Sequence, residues 1–150
     1  MEARQFVCPN CFSANRVPAE RDALAANCGK CHQKLFTGVP ADVDAEGLAR
    51  HGRGTKGAAV LLDVWAPWCG PCVAMAPHFK AAAAKLEPRV RLLKLNSDAE
   101  PQASAELGVR GIPALFLFRD GKVIAQTAGS RTADQLVAWT EEQLASPPTR

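Results

Sequence analysis

Apolar residues after about position 39 fall into runs that indicate strands and helices. Ala59–Trp65 is a nearly continuous apolar run, which is typical of a strand covered on both faces. A helix is predicted from Pro71, because apolar residues then recur at helical spacing. These residues are Cys72, Met75, Ala76, Phe79, Ala83 and Leu86. Residues 90–95 predict a second buried strand.

Shorter elements complete the pattern. The predicted helices cover residues 46–50, 101–107 and 132–144, and the predicted strands cover residues 114–118 and 122–127. Asp120-Gly121 lies between these last two strands and is a strong signal for a tight hairpin. Strands that alternate with helices and then form a hairpin predict an α/β fold, with a central mixed sheet and helices on both faces.

The first 38 residues differ from the rest of the chain. They hold four cysteines but few apolar residues, which cannot close a core unaided. The sequence therefore predicts a small cysteine-rich domain over residues 1–38 and a main domain over residues 39–146. Residues 147–150 are predicted to form a flexible tail.

Composition excludes some classes of function. The chain has 150 residues, and its 47% hydrophobic and 22% charged content is ordinary for a globular protein. The net charge is only +3, without the concentrated basic face that nucleic-acid binding needs. The start has no secretory signal pattern and no apolar run could span a bilayer, so we expect a cytoplasmic protein without membrane contact. A reducing compartment favours metal ligands or catalytic thiols over structural disulfides.

The six cysteines form three C-x-x-C pairs, and the third lies between a buried strand and a helix start. Cys69 would stand at the helix N-terminus, where free backbone N–H groups and the helix dipole favour a thiolate. A thiolate is the attacking species in disulfide exchange, so Cys69 is the predicted nucleophile. Cys72 would face the core and attack the mixed disulfide to release the product.

Asp63 interrupts the apolar strand on the same face as Leu61 and Trp65. A carboxylate is costly to bury, so its pKa should be raised. A protonatable group beneath Cys72 could accept that thiol's proton, which makes Asp63 a third catalytic candidate. The alternative is a partly exposed Asp with satisfied hydrogen bonds.

The other four cysteines form two knuckles sixteen residues apart, which is zinc-ribbon spacing. They are Cys8, Cys11, Cys28 and Cys31. Two such turns can complete a tetrahedral four-sulfur site, so we predict a zinc-ribbon-like domain with one structural zinc ion. Iron, four free thiols or a second redox pair are the alternatives. Asn10 and Gly29 would tolerate the strained backbone of the knuckles. The histidines His32, His51 and His78 are expected to be solvated or packed rather than ligands.

The main domain resembles the thioredoxin family. The family's motifs are WCGPC at residues 68–72, the buried acid at Asp63, a strand lysine at Lys94, the cis-proline loop Gly111-Ile112-Pro113 and a glycine before the last helix at Gly129. The resemblance implies a thioredoxin fold, with Pro113 cis and packed against the two sulfurs. It also implies a substrate-docking surface. That surface would consist of Trp68, Gly70, Pro71, Ile112, Pro113 and Gly129.

A four-cysteine segment ahead of such a domain resembles the bacterial thioredoxin 2 group. The resemblance implies a zinc site that oxidation can release, and a monomeric protein-disulfide reductase that acts on disulfide-bearing proteins. A flavin-containing, NADPH-dependent thioredoxin reductase would recharge it. The chain itself would need no organic cofactor, since the Cys69–Cys72 pair carries the electrons.

Two other functions compete with this one. The ribbon could be a module that binds a partner or nucleic acid, with the thioredoxin domain as its scaffold. The chain could also be an oxidase or isomerase, but the Gly-Pro dipeptide between Cys69 and Cys72 accompanies reductants in the family. Val73 departs from the lysine that many members carry after the second cysteine, which bears on the choice of partner.

Overall fold

The computed structural model describes residues 3–146, so the predicted tail at 147–150 lies outside the described residues. The strands are β1 (Arg4–Val7), β2 (Ala14–Val17), β3 (Ala41–Asp42), β4 (Ala59–Trp65), β5 (Val90–Asn96), β6 (Ala114–Arg119) and β7 (Lys122–Ala128). The helices are α1 (Ala45–Gly54), α2 (Gly70–Leu86), α3 (Pro101–Leu107) and α4 (Ala133–Ala145). Within residues 3–146, no helix is long and apolar enough to cross a membrane.

The main sheet has five strands in the order β3-β5-β4-β6-β7, and β1 and β2 form a separate antiparallel pair. β3, β5 and β4 run parallel, whereas β6 and β7 are antiparallel to their neighbours. Alternate residues of β4 face opposite sides of the sheet. Leu61 packs with residues of α2 and α4, and Leu62 packs on the side covered by α1 and α3. Helices therefore cover both faces, which confirms the predicted mixed sheet.

Helix α1 and strand β3 differ most from the predicted elements. α1 begins after Asp44, whose side chain accepts a hydrogen bond of 2.7 Å from the backbone N–H of Gly47. It runs to Gly54, so the predicted helix at residues 46–50 was too short. Three glycines within this helix lower its propensity and obscure its helical period. β3 has only two residues, which are too few to show a strand pattern.

Residues 3–38, which we call the ribbon, have a small core. Its buried members are Phe6, Cys8, Val17, Ala23, Cys28, Leu35 and Phe36. Buried cysteines pack like small apolar residues. The ribbon therefore has a larger core than its Val, Leu and Phe residues alone would form. Ala58 of the main domain packs against the same cluster. The ribbon core thus depends in part on the main domain, and a boundary between residues 38 and 39 stays a prediction.

The ribbon packs along α1, where two glycines allow close approach. A Cβ atom added at Gly47 would lie 3.3 Å from the Phe12 ring. A Cβ atom added at Gly54 would overlap the side chain of Val7. The missing side chains therefore let the ribbon reach the helix backbone.

Replacing Gly54 with alanine should destabilise the protein. The new methyl group would collide with Val7, which is 2% exposed and has a stiff β-branched side chain. Such overpacking costs about 1–3 kcal/mol, which outweighs a helix-propensity gain of up to about 1 kcal/mol. Denaturant unfolding measures the difference. Gly52→Ala is the matched control, because a Cβ atom there meets nothing within 4 Å. Equal effects of the two changes would contradict this packing.

Candidate active site and metal centre

Cys69 and Cys72 lie where β4 is followed by α2. Cys69 caps the N-terminus of α2, and its Sγ accepts a hydrogen bond of 3.2 Å from the backbone N–H of Cys72. The two sulfurs form a disulfide, and the Cα atoms are 5.2 Å apart. Cys72 is 1% exposed and Cys69 is 5% exposed. After reduction, the helix N-terminus would stabilise a thiolate at Cys69.

The loop before β6 packs against this disulfide. The peptide bond between Ile112 and Pro113 is cis, as the family resemblance implied. The carbonyl oxygen of Ile112 lies 3.8 Å from Cys69 Sγ. The backbone N–H of Gly129 donates a hydrogen bond of 2.9 Å to the carbonyl oxygen of Pro113. Three distant parts of the chain therefore meet beside the sulfurs.

Most of the predicted docking residues are accessible. Trp68, Gly70, Pro71 and Gly129 are exposed, Ile112 is half-buried and Pro113 is buried. Trp68 is 70% exposed, and its Nε1 donates a hydrogen bond of 3.1 Å to Oδ1 of Asp98. Sequence reasoning missed Asp98, because it lies 30 residues away and no motif links it to the indole.

Asp63 is fully buried in β4, so the alternative of a partly exposed side chain is wrong. Its carboxyl oxygens have no hydrogen-bond partner among residues 3–146. Burial raises the pKa of Asp63 to about 7, against the opposing effect of the charge on Lys94, its neighbour on β5. Leu61, on the same sheet face as Asp63, packs against α2, the helix that carries Cys72. A protonatable group thus lies on the face of the sheet that α2 covers.

The four ribbon cysteines converge on one point. Their Sγ atoms all lie within 4.8 Å of one another. The Sγ–Sγ distance is 3.5 Å between Cys8 and Cys31 and 3.6 Å between Cys11 and Cys28. Four sulfurs held at about 2.3 Å from a tetrahedral zinc ion lie about 3.8 Å apart. The cluster therefore has the dimensions of a four-sulfur metal site, and its cysteines are positioned to bind a metal.

Two family models match the chain. The model described as Thioredoxin matches residues 54–142. The model described as Thioredoxin 2, N-terminal, matches residues 7–33, which hold the four ribbon cysteines. The chain belongs to the thioredoxin family. It is accordingly a thiol-disulfide oxidoreductase, and Cys69–Cys72 is the disulfide that its fold presents.

Named thioredoxins resemble the chain over most of its length. Thioredoxin C-3 from Corynebacterium nephridii is 39% identical over 139 residues, which cover 93% of this chain and 94% of the relative. Thioredoxin from Rhodospirillum rubrum is 42% identical over 83 residues, or 55% of this chain and 80% of the relative. The structure of thioredoxin f from spinach chloroplast has a TM-score of 0.66 at 27% identity, covering 72% of this chain and 88% of its own. A mutant thioredoxin from Halobacterium salinarum has a TM-score of 0.64 at 28% identity, covering 74% and 96%.

In this thioredoxin, N–H···S hydrogen bonds stabilise both knuckles of the ribbon. The backbone N–H of Asn10 donates to Cys8 Sγ at 3.3 Å, and that of Lys30 donates to Cys28 Sγ at 3.4 Å. Hydrogen bonding, chiefly from the backbone N–H of Cys31, lowers the pKa of Cys28 to about 6. Burial raises the pKa of Cys8 to about 12, and a bound cation would oppose that effect. Backbone N–H donors in both knuckles would thus stabilise the thiolates of a metal-bound site.

The strained backbone of each knuckle lies after its second cysteine. Phe12 has a φ of 64° and His32 a φ of 67°. The N–H of Phe12 donates to the carbonyl of Cys8 at 2.9 Å, which closes the first turn. Asn10 and Gly29 are not among the described residues with positive φ, so the expectation of strain at these two was wrong.

Among the described residues, the metal-ligand cluster contains only cysteines. His32 is exposed, and His78 Nδ1 accepts a hydrogen bond of 3.1 Å from the N–H of Ala133. His51 is fully buried in α1, and burial together with the charge of Arg91 lowers its pKa to about 3. The prediction of solvated or packed histidines is confirmed, with His51 uncharged at neutral pH.

The metal cluster and the disulfide are carried by different parts of this thioredoxin. Gln5 of the ribbon exchanges two backbone hydrogen bonds of 2.9 Å with Lys56, just before β4 begins. Cys69 follows the other end of β4. The ribbon thus contacts the main domain near the start of β4, whereas the Cys69–Cys72 disulfide follows its end.

Proposed function

We propose that this chain reduces protein disulfides through Cys69 and Cys72. The observation that carries the proposal is the Cys69–Cys72 disulfide at the start of α2, beside the loop of cis-Pro113. The Gly-Pro dipeptide between the cysteines supports reduction rather than oxidation as the direction. Membership of the thioredoxin family supports the same chemistry.

Reduction proceeds by two exchanges. The Cys69 thiolate attacks one sulfur of the substrate disulfide, and the other substrate sulfur leaves as a thiolate. Cys72 then loses its proton, attacks Cys69 Sγ and releases the second substrate thiolate. Two electrons have passed to the substrate, and Cys69 and Cys72 are left joined as a disulfide.

Asp63 is proposed to accept the proton that Cys72 loses. Its pKa of about 7 means that both protonation states are populated near neutral pH. Burial without a hydrogen-bond partner among residues 3–146 leaves the carboxylate free to accept a proton. Asp63 is therefore suited to take and return one proton in each cycle.

The surface beside the disulfide is proposed to dock substrates and the electron donor. It consists of Trp68, Gly70, Pro71, Ile112, Pro113 and Gly129. The Ile112 carbonyl lies close to Cys69 Sγ, so an extended segment placed along this loop would bring its own disulfide to the nucleophile. The proposed donor is a flavin-containing, NADPH-dependent thioredoxin reductase, and the proposed setting is a monomer in the cytoplasm.

The function is tested by insulin reduction with NADPH and a thioredoxin reductase. We expect NADPH oxidation that depends on both this chain and insulin. Absence of turnover with several bacterial reductases and with dithiothreitol as donor would overturn the proposal. A reduction potential well above the cytosolic glutathione poise would instead support an oxidase or isomerase.

The ribbon is proposed to bind one zinc ion through Cys8, Cys11, Cys28 and Cys31. The size of the sulfur cluster and its N–H donors support this set of ligands. Zinc bound to four thiolates is structural, because no coordination position is left open for substrate. The ribbon would then gain stability from the metal, and loss of the metal on oxidation would loosen it.

Freshly purified reduced protein should contain one zinc ion per chain by elemental analysis, because the cluster matches a single four-sulfur site. Removal of the metal with a strong chelator should expose four thiols and partly unfold the ribbon. Insulin reduction should persist, since Cys69 and Cys72 are carried elsewhere. Iron as the main metal would contradict zinc, and a metal-free reduced protein with an ordered ribbon would contradict any structural metal.

A further inference from the structure

Arg91 is a buried cation in the second position of β5. The residue is 2% exposed, and its side chain is among the largest buried ones in residues 3–146. The guanidinium Nη2 donates a hydrogen bond of 2.8 Å to the carbonyl oxygen of Leu35 and one of 3.2 Å to that of Val7. The Phe36 ring lies beneath it, with Arg91 Cζ 4.0 Å from the ring centroid. All three of these contacts are made to the ribbon.

The two carbonyls lie in the chain segments that flank the two different knuckles. Val7 directly precedes Cys8, the first cysteine of the first knuckle. Leu35 follows the second knuckle, and its N–H donates to the carbonyl of Ala26 at 3.1 Å, ahead of Cys28. One nitrogen atom of the main domain therefore links the two chain segments that flank the knuckles.

Two titratable groups of the main domain lie near Arg91. Glu87, at the end of α2, is 5% exposed, and its carboxylate attracts the guanidinium. His51 of α1 is buried nearby and uncharged at neutral pH. Two carbonyl acceptors and an aromatic ring, all of the ribbon, hold the guanidinium, whereas its Nε has no hydrogen-bond partner among residues 3–146. The contacts with the ribbon are therefore the ones that fix its position.

We propose that Arg91 is a positioning residue for the metal site, which ties the two knuckles to the thioredoxin domain and sets the separation of their sulfurs. Metal affinity is then a property of the whole chain, not of the ribbon alone. Groups that orient metal ligands through hydrogen bonds commonly change metal affinity when they are removed. The inference rests on the proposed zinc site.

The test is competition for zinc between the full-length protein and a chromogenic chelator. Arg91→Met keeps an unbranched side chain over Phe36 but loses both hydrogen bonds, and should weaken zinc binding by about tenfold or more. Arg91→Lys keeps a donor for the carbonyls and should lie between Arg91→Met and the unaltered protein. Comparison with a variant that is destabilised elsewhere separates this graded rescue from a loss of general stability.

Two controls separate positioning from charge and from stability. Arg89→Met removes an exposed arginine two residues earlier, which pairs with Glu141 on the surface. Leu136→Ala destabilises the core beneath α4 without touching the ribbon. Both controls should bind zinc within about twofold of the unaltered protein, because neither lies near the sulfurs. Insulin reduction is measured in parallel to show that the main domain is folded.

Zinc affinity of Arg91→Met equal to that of the unaltered protein would overturn the inference and leave the metal site standing. Absence of zinc binding by the unaltered protein would overturn both. If Arg91→Met does not fold, the double change Glu87→Gln with Arg91→Met removes both buried charges together. That protein and Arg91→Lys are then judged by the same criterion of weaker zinc binding.

Discussion

Replacing Cys69 with serine should lower the rate of insulin reduction by at least about a thousandfold, since loss of a catalytic nucleophile costs on the order of 10⁶ in rate in other covalent enzymes. Serine cannot form the mixed disulfide with substrate. Cys69 is the cysteine at the helix N-terminus, so no other thiol in the pair can take over the first attack. NADPH-coupled turnover measures the loss.

Cys72→Ser should also stop turnover, but at a later step. Cys69 can still attack, so the variant should accumulate a covalent adduct with substrate that mass spectrometry under non-reducing conditions detects. Cys11→Ser is the matched control, because it removes a ribbon cysteine and should retain turnover. Undiminished turnover in Cys69→Ser and Cys72→Ser would refute the proposed chemistry.

Asp63→Asn should flatten the pH dependence of stability in the oxidised protein. The pKa of Asp63 is about 7 in the folded chain, against 3.8 for an unperturbed Asp. Between these values the folded state binds more protons than the unfolded state, so the free energy of unfolding falls as pH rises and levels off above about pH 7. The linked free energy is on the order of 4 kcal/mol. Asn does not titrate, so the variant lacks this loss.

The contribution of Glu87 to this pH dependence has to be distinguished from that of Asp63. Burial raises the pKa of Glu87 to about 7 as well, against the opposing charge of Arg91, and its contribution has the same sign. Glu87→Gln is therefore the matched control, and urea unfolding from pH 4 to pH 8 should show that each change removes its own part of the slope. A slope in Asp63→Asn as steep as in the unaltered protein would mean that Asp63 is not the perturbed acid.

The parts of the fold that depend on local sequence could be predicted. Ala59–Trp65 and Pro101–Leu107 have the predicted bounds, since an apolar run and a helix closed by glycine are local signals. Asp120 and Gly121 both have positive φ, which the predicted tight hairpin requires. The cis bond before Pro113 came from the family resemblance, because an X-Pro sequence alone does not determine the isomer.

The parts that depend on tertiary contacts could not be predicted. The sequence shows Arg91 as one of several scattered basic residues, and its burial against the ribbon follows from the fold. Asp98 meets the Trp68 indole through the fold and not through a motif. The spacing of the cysteines predicted that four sulfurs converge. It did not predict that a residue of β5, in the other domain, contacts the segments that flank them.

The contacts of Arg91 also bear on how the protein is made. The four ribbon cysteines precede β5 in the sequence and leave the ribosome before it. The hydrogen bonds from Arg91 to the carbonyls of Val7 and Leu35 span 84 and 56 residues of sequence. They can therefore form only after β5 has been synthesised. The ribbon is thus translated before β5 but completed only after it. A metal ion bound by the nascent chain would be held without the hydrogen bonds of Arg91 until β5 has joined the sheet.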